Sequence, residues 1–118
     1  SRVSNMAVRQ LKNRGFEVIP VGIRKGEIDG IAIQVGKPAI QHVHTVSLYI
    51  GPALQQEQGM YDYVLQVLKP RRVIFNPGTE NPEFYSKCQE KGIQVLPACT
   101  LVMLSLGTYF SEQEKTQL

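Results

Sequence analysis

The segment RRVIFNPGTENPEF, residues 71–84, contains a strand, a turn and the start of a helix in direct succession. Residues 73–75 are β-branched or aromatic, which predicts a buried strand. Residues 76–80 have the composition of a turn. Asn81 is suited to cap the next helix and Pro82 to begin it, because an asparagine oxygen accepts a free backbone N–H and a first helical residue needs no N–H of its own. The segment is therefore predicted to be one strand–helix unit of a parallel sheet.

The same alternation of apolar strands and amphipathic helices continues on both sides of this segment. The predicted elements are a helix from the N-cap Ser4 to about Arg14, strands over residues 16–21 and 45–50 with a short apolar segment at 31–35 between them, a helix over residues 53–68, the strand and helix of the central segment, a strand over residues 93–96, and a buried helix over residues 100–106 capped by Thr100. This order predicts an α/β fold, a three-layer parallel sheet with helices on both faces.

Composition narrows the class of protein. The chain has 118 residues, of which 42% are hydrophobic and 19% charged, as expected for one globular domain. No apolar stretch is long enough for a membrane helix, and a net charge of +3 does not indicate a nucleic-acid partner. Residues 1–45 hold seven bases against three acids, which favours a small anionic ligand there. Two cysteines fit a reducing compartment, so we expect a cytoplasmic protein.

In parallel sheets, ligands bind beyond the carboxyl ends of the strands. This rule selects the loops at residues 22–25, 51–52, 76–80 and 98–100, together with the helix start at residues 2–5. A helix start offers free N–H donors to a phosphate, and Arg2, Arg24 and Lys25 lie on this side. Each feature alone has a plainer explanation. The helix start can be an ordinary capped helix with a solvated arginine, and Arg24 and Lys25 can belong to a solvated charged turn.

The sequence contains no convincing catalytic or metal-binding pattern. There is no Walker sequence, which excludes a P-loop NTPase, and no intact GxGxxG, so ordinary NAD chemistry has no fingerprint here. His42 and His44 have a spacing that can bind metal, but further ligands are lacking nearby and both precede their strand, at the opposite end from the loops. Cys99, at a helix start, is either a reactive thiol or a buried inert one, whereas Cys88 occupies a core position.

Four strings taken together resemble the small CoA-binding domain proteins. They are PVGIRKGEIDGIAI at residues 20–33, TVSLYIGP at 45–52, RRVIFNPGTENPEF at 71–84 and ACTLVML at 98–104. The resemblance covers about residues 1–107. It implies a Rossmann-like domain related to the CoA-binding domain of succinyl-CoA synthetases, which binds coenzyme A or a short acyl-CoA without evident catalysis.

The resemblance also implies where the ligand lies: its phosphates at the helix start, and its nucleotide among the strand-end loops. The implied site residues are Arg2, Ser4 and Asn5 at the helix start, Pro20, Val21, Gly22, Ile23, Arg24 and Lys25 after one strand, Ile50, Gly51 and Pro52 after the next, and Asn76, Pro77, Gly78, Thr79, Cys99 and Thr100 in the last two loops.

Members of this family begin with an apolar strand, and nothing precedes Ser1 here. We therefore expect residues 1–110 to form the domain with its first strand supplied upstream of Ser1, and residues 111–118 to be a polar tail. Two other functions stay open. One is an enzyme acting on a CoA- or nucleotide-linked substrate, with Thr79, Glu80 or Cys99 near the reacting end. The other is a regulatory domain that has lost its ligand; self-association is also left open.

Overall fold

A computed structural model describes residues 2–110 of the chain. The elements are α1 Arg2–Asn13, β1 Val21–Gly22, β2 Glu27–Ile28, β3 Ile31–Ala32, β4 Gln34–Val35, β5 Thr45–Leu48, α2 Pro52–Glu57, α3 Met60–Asp62, a π-helical segment Tyr63–Leu68, β6 Arg72–Phe75, α4 Pro82–Glu90, β7 Gln94–Pro97 and α5 Thr100–Leu106. The tail expected at residues 111–118 lies outside the described residues. None of the described helices is long and apolar enough to cross a lipid bilayer.

The main sheet is parallel and has the order β5-β6-β7, with Thr45 opposite Arg72 and Arg72 opposite Gln94. A second parallel pair joins β1 to β4. Strands β2 and β3 form a small antiparallel hairpin. Its two turn residues, Asp29 and Gly30, both have positive φ, 51° and 83°, as the tight Asp-Gly hairpin turn requires.

The core lies on both faces of β6, because successive side chains of a strand point in opposite directions. Val73 and Phe75 pack with Phe84 of α4 on one face. Ile74 packs on the other face with Leu11 of α1 and Leu104 of α5. Helices therefore cover both faces of a parallel sheet, and the predicted fold class is confirmed.

Three sequence-based boundaries are wrong. Ser4 does not cap the first helix, because α1 already includes Arg2 and nothing in residues 2–4 opposes helical geometry. Thr100 is the first residue of α5 rather than its cap, and its hydroxyl bonds Ser47 instead of the helix end. Of the strand predicted over residues 16–21, only its last residue pairs, within the two-residue strand Val21–Gly22; Phe16 and Val18 pack against the cluster around Ile74.

The helix predicted over residues 53–68 is interrupted. Gly59 has a left-handed φ of 66°, which breaks the hydrogen-bond ladder after α2. The chain then resumes as α3 and the π-helical segment, and ends at Lys69, which is also left-handed with φ 47°. Tyr63 anchors this segment by donating its hydroxyl to the carbonyl of Pro38 at 2.7 Å.

Candidate functional site

The three parallel strands of the main sheet end at one edge, which we call the carboxyl edge. Strands β5, β6 and β7 end at Leu48, Phe75 and Pro97. The loops that follow them are residues 49–51, 76–81 and 98–99. Parallel strands whose carboxyl ends share an edge bring such loops together, and here buried polar side chains connect them.

Asn76 joins three elements through its side-chain amide. Its Nδ2 donates to the carbonyl of Leu48 at 2.8 Å and to Ser47 Oγ at 3.0 Å. Its Oδ1 accepts the backbone N–H of Thr100 at 2.8 Å. Ser47 and Thr100 also share a hydroxyl–hydroxyl hydrogen bond of 2.7 Å. The end of β5, the end of β6 and the start of α5 are therefore held in one arrangement.

Gln55 connects the other loops in the same way. Its Nε2 donates to the carbonyls of Ile50 at 2.7 Å and Thr79 at 2.8 Å. Its Oε1 accepts from Asn81 Nδ2 at 2.9 Å. Asn81 in turn caps α4 by accepting the backbone N–H of Phe84, as predicted. Gln55 is fully buried, so its role is to position these loops.

Two glycines bring the first and second loops close together. A Cβ built on Gly51 would lie 3.7 Å from the carbonyl oxygen of Gly78. Gly78 has a φ of 94°, and its N–H donates to Glu80 Oε1 at 2.8 Å. Pro52, Pro77 and Gly78 are exposed, so this junction forms a surface that a ligand can approach through backbone atoms.

The carboxyl edge also carries a tyrosine and a cysteine. The hydroxyl of Tyr49 is buried beside Ser47 and Thr100 without a well-formed hydrogen bond. Burial raises the pKa of Tyr49, although the two hydroxyls offset part of the effect. Cys99 is partly exposed at this edge, whereas Cys88 is buried in the core and burial raises its pKa to about 11. Cys99 is therefore the thiol that solvent reaches.

The remaining predicted residues lie on two other segments. Val21, in β1, is 41% exposed and Ile23, in the loop that follows, is 73% exposed. Arg24 and Lys25 of this loop are exposed as well. The preceding Pro20 is buried, and its carbonyl accepts the N–H of Gln34 at 2.9 Å.

Arg2 is exposed at the start of α1, and Asn5 accepts a hydrogen bond from Arg9 at 2.7 Å. Among the described residues, Arg9 and Lys12 pair with Asp29 of the hairpin, at 3.9 and 3.5 Å. Arg2, Arg24 and Lys25 form no such pair with a carboxylate of residues 2–110. These three cations face solvent without a described carboxylate partner.

The structure therefore brings one part of the predicted set into a single contact network and leaves the other part on separate segments. The network contains Ile50, Gly51, Asn76, Gly78, Thr79 and Thr100. Asn76, Thr79 and Thr100 are buried with their polar atoms bonded internally. Sequence reasoning missed Ser47 and Gln55; the only signal was a polar residue at a core-facing position of an apolar strand or a helix.

A parallel sheet covered by helices on both faces, with the loops that bind ligands in such folds at its carboxyl edge, defines a Rossmann-like α/β domain. The CoA binding domain family matches residues 1–105, and the chain belongs to this family.

Solved structures agree with this assignment. One structure, called only an uncharacterized protein, is 50% identical, has a TM-score of 0.85, and matches over 91% of this chain and 86% of its own. A protein from Thermus thermophilus matches at 22% identity and a TM-score of 0.71, covering 89% of this chain and 78% of its own. A hypothetical protein from Pyrococcus horikoshii matches at 22% identity and 0.72, covering 90% and 74%. The last two show the fold alone. No curated protein matches the chain significantly.

Proposed function

We propose that this protein binds coenzyme A or a short acyl-CoA at the carboxyl edge, as a cytoplasmic binding module without catalysis of its own. The observation that carries the proposal is the match of the CoA binding domain family to residues 1–105. The hydrogen-bonded loops support it. Asn76 and Gln55 already hold these loops in one arrangement, so the loops lose little conformational entropy when a ligand binds.

In this proposal, cations and helix N–H groups hold the phosphates. Arg24 and Lys25 contact the 3′-phosphate, and Arg2 contacts the diphosphate at the start of α1, where Ser4 and Asn5 lie. All three cations are exposed and lack a described carboxylate partner, which leaves their charge available to a ligand.

Apolar and backbone atoms would accommodate the rest of the ligand. Val21 and Ile23 present exposed aliphatic surface on one side, with Pro20 and Gly22 fixing their loop. Ile50 and the exposed backbone at Gly51, Pro52, Pro77 and Gly78 line the other side, and Cys99 lies at its end. Asn76, Thr79 and Thr100 act as positioning residues, because their side chains are buried.

The test compares two ligands that differ only in the 3′-phosphate. Calorimetric titration of Arg24→Ala/Lys25→Ala is expected to lose about tenfold in affinity for CoA and about twofold for dephospho-CoA, because two charge-assisted contacts to one phosphate disappear. Arg14→Ala is the matched control, since Arg14 bonds Gln10 on the surface of α1. Equal losses for the two ligands would reject the phosphate assignment.

Native mass spectrometry of the purified protein tests the ligand class itself. A retained mass equal to CoA or an acyl-CoA is the expected result. A protein that neither retains CoA nor gains thermal stability in its presence would contradict binding, because a ligand at 100 times its dissociation constant stabilises the fold by about 2.7 kcal/mol.

A further inference from the structure

Two cavities lie at the opposite edge of the main sheet, where the strands begin; we call it the amino edge. The larger, of about 610 Å³, is bounded by residues 40–44 before β5, by Val67 and Leu68 at the end of the π-helical segment, and by Phe110. The smaller, of about 460 Å³, lies between the connections that lead into β6 and β7. Lys69 and Arg71 line both cavities. The two cavities therefore adjoin at these two cations, and we call them together the recess.

The charge of this recess has one sign. Lys69 and Arg71 line the larger cavity, and Lys91 joins them in the smaller one. Among the described residues that line either cavity, none is an aspartate or glutamate. A concave surface with several cations and no acid concentrates positive potential and attracts anions.

A buried arginine adds to this potential. Arg72 is only 5% exposed, and its guanidinium carbon lies 5.0 Å from the ring centre of Phe110, a residue that also lines the larger cavity. Its Nε donates to Thr45 Oγ1 at 2.8 Å, but its second terminal nitrogen has no hydrogen-bond partner. No carboxylate of residues 2–110 lies within ion-pair distance of it. The rings of Tyr109, 4.7 Å from the guanidinium carbon, and of Phe110 compensate part of the cost of burying this charge, and Arg72 itself lines neither cavity.

The backbone around the recess is unusual as well. Three non-glycine residues among those described have positive φ, and two of them, His42 at 60° and Lys69 at 47°, line the larger cavity. The six-residue π-helical segment Tyr63–Leu68 ends beside them. Left-handed non-glycine residues and π-helical turns cost energy and concentrate at functional sites.

The lining also indicates which kind of anion fits. Ile40, Val43, Val67, Leu68 and Phe110 give the larger cavity an apolar wall next to its cations. A fully hydrated inorganic phosphate would gain nothing from that wall, whereas a carboxylate with an aliphatic body uses both features. We propose that the amino edge is a second ligand site, which takes an aliphatic carboxylate with its head at Arg71 and Lys69 and its chain against Val67 and Phe110.

The experiment titrates the protein with octanoate in the presence of saturating CoA, following backbone amide shifts by NMR. Octanoate is expected to shift the amides of His42, Lys69 and Arg71. Octanamide, the neutral isostere, is expected to bind at least about tenfold more weakly, and acetate to show no saturable binding. Equal binding of octanoate and octanamide would overturn the proposal, and so would shifts confined to Arg24 and Lys25.

A variant pair tests the residues. Arg71→Gln is expected to lower the affinity for octanoate at least about tenfold, because an arginine–carboxylate contact is charge-assisted and bidentate. Lys87→Gln is the matched control, since Lys87 lines neither cavity and lies over the ring of Tyr61. The amide spectrum of Arg71→Gln without ligand reports whether it folds; if it does not, Lys69→Gln takes its place with the same expectation. Unchanged octanoate affinity in the folded variant would overturn the proposal.

Discussion

Asn76 makes three side-chain hydrogen bonds in a site with 1% exposure, and each bond reaches a different residue. We expect Asn76→Ala to lower the free energy of unfolding by about 3 kcal/mol, because the N–H of Thr100 loses its partner in a buried position. Urea denaturation measures this change. Gln10→Ala, which removes an exposed hydrogen bond to Arg14, is the control and should cost less than about 0.5 kcal/mol. Similar costs for the two variants would contradict the structural role of Asn76.

Cys88 makes stability depend on alkaline pH. Burial raises its pKa from 9.0 to about 11, so between these pH values the folded state holds a proton that the unfolded state has released. The contribution of this thiol to the free energy of unfolding is therefore fully present below pH 9. It falls by about 1–2 kcal/mol as the pH rises toward 11.

The comparison of wild type with Cys88→Ala isolates this effect. Burial also raises the pKa of Tyr63 and Tyr109, so both proteins lose stability at high pH, but the wild type should lose more between pH 9 and 11. Urea denaturation at several pH values measures both curves, each referred to its own value at pH 8. Parallel curves would show that the thiol does not titrate as its burial requires.

The sequence predicted single residues only where their chemistry acts locally. Asn81 and Pro82 were predictable because a helix cap and its first residue depend on their immediate neighbours. The roles of Ser47 and Gln55 were not predictable, since Ser47 bonds Thr100, 53 residues away, and Gln55 bonds Thr79, 24 residues away. The loops of the candidate site could therefore be predicted, but the side chains that hold them could not.

Gly59 separates α2 from α3, and its left-handed φ of 66° makes it sensitive to substitution. We expect Gly59→Ala to lower the free energy of unfolding by about 1–2 kcal/mol, since a Cβ disfavours this conformation. The nearby Lys37 Nζ, 2.8 Å from such a Cβ, can move away because it ends a flexible side chain. Thermal and urea unfolding measure the change.

Gly26→Ala is the matched control for Gly59→Ala. Gly26 has no positive φ, and a Cβ there would meet Ile33 Cδ1 at an ordinary 3.5 Å. This variant should keep the stability of the wild type within about 0.5 kcal/mol. If Gly59→Ala is as stable as Gly26→Ala, the turn between the two helices tolerates another conformation.

Whole elements, like single residues, were predictable where the signal is local and unpredictable where it depends on distant parts of the chain. Helix α5 is found over the predicted residues 100–106, and α4 begins at the predicted Pro82, because periodicity and capping are local signals. The hairpin of β2 and β3 was not predicted, and only a short apolar segment at residues 31–35 was, since pairing between strands of two residues leaves no periodic pattern. The π-helical segment was read as ordinary helix because its apolar spacing also fits an α-helix.

The two proposed binding sites lie at opposite edges of the main sheet. The carboxyl edge carries the loops fixed by Asn76 and Gln55, and the amino edge carries the recess around Lys69 and Arg71. A ligand at one edge leaves the other accessible, because the strands of β6 and its neighbours lie between them. This is why CoA is held at saturation in the octanoate experiment: the two sites are expected to fill independently.

The parallel strands are divided between two separate sheets. Strand β1 pairs only with β4, and β5 pairs only with β6, so within residues 2–110 each of the two parallel sheets presents free strand edges. We propose that a further strand, supplied by polypeptide upstream of Ser1, pairs with the free edge of β5 and joins the two sheets. Free edges of parallel strands promote self-association, because their backbone N–H and C=O groups lack partners.

A polypeptide of residues 1–118 alone is therefore expected to unfold at low urea or to self-associate, whereas a chain that carries the strand should be a stable monomer or a defined oligomer. Sedimentation measures the association state and urea denaturation measures the stability. The free edge is four residues long at β5, and its backbone N–H and C=O groups can pair with another chain. A folded, stable monomer made from these 118 residues alone would contradict the proposed strand and would mean that water satisfies the edge of β5 at little cost.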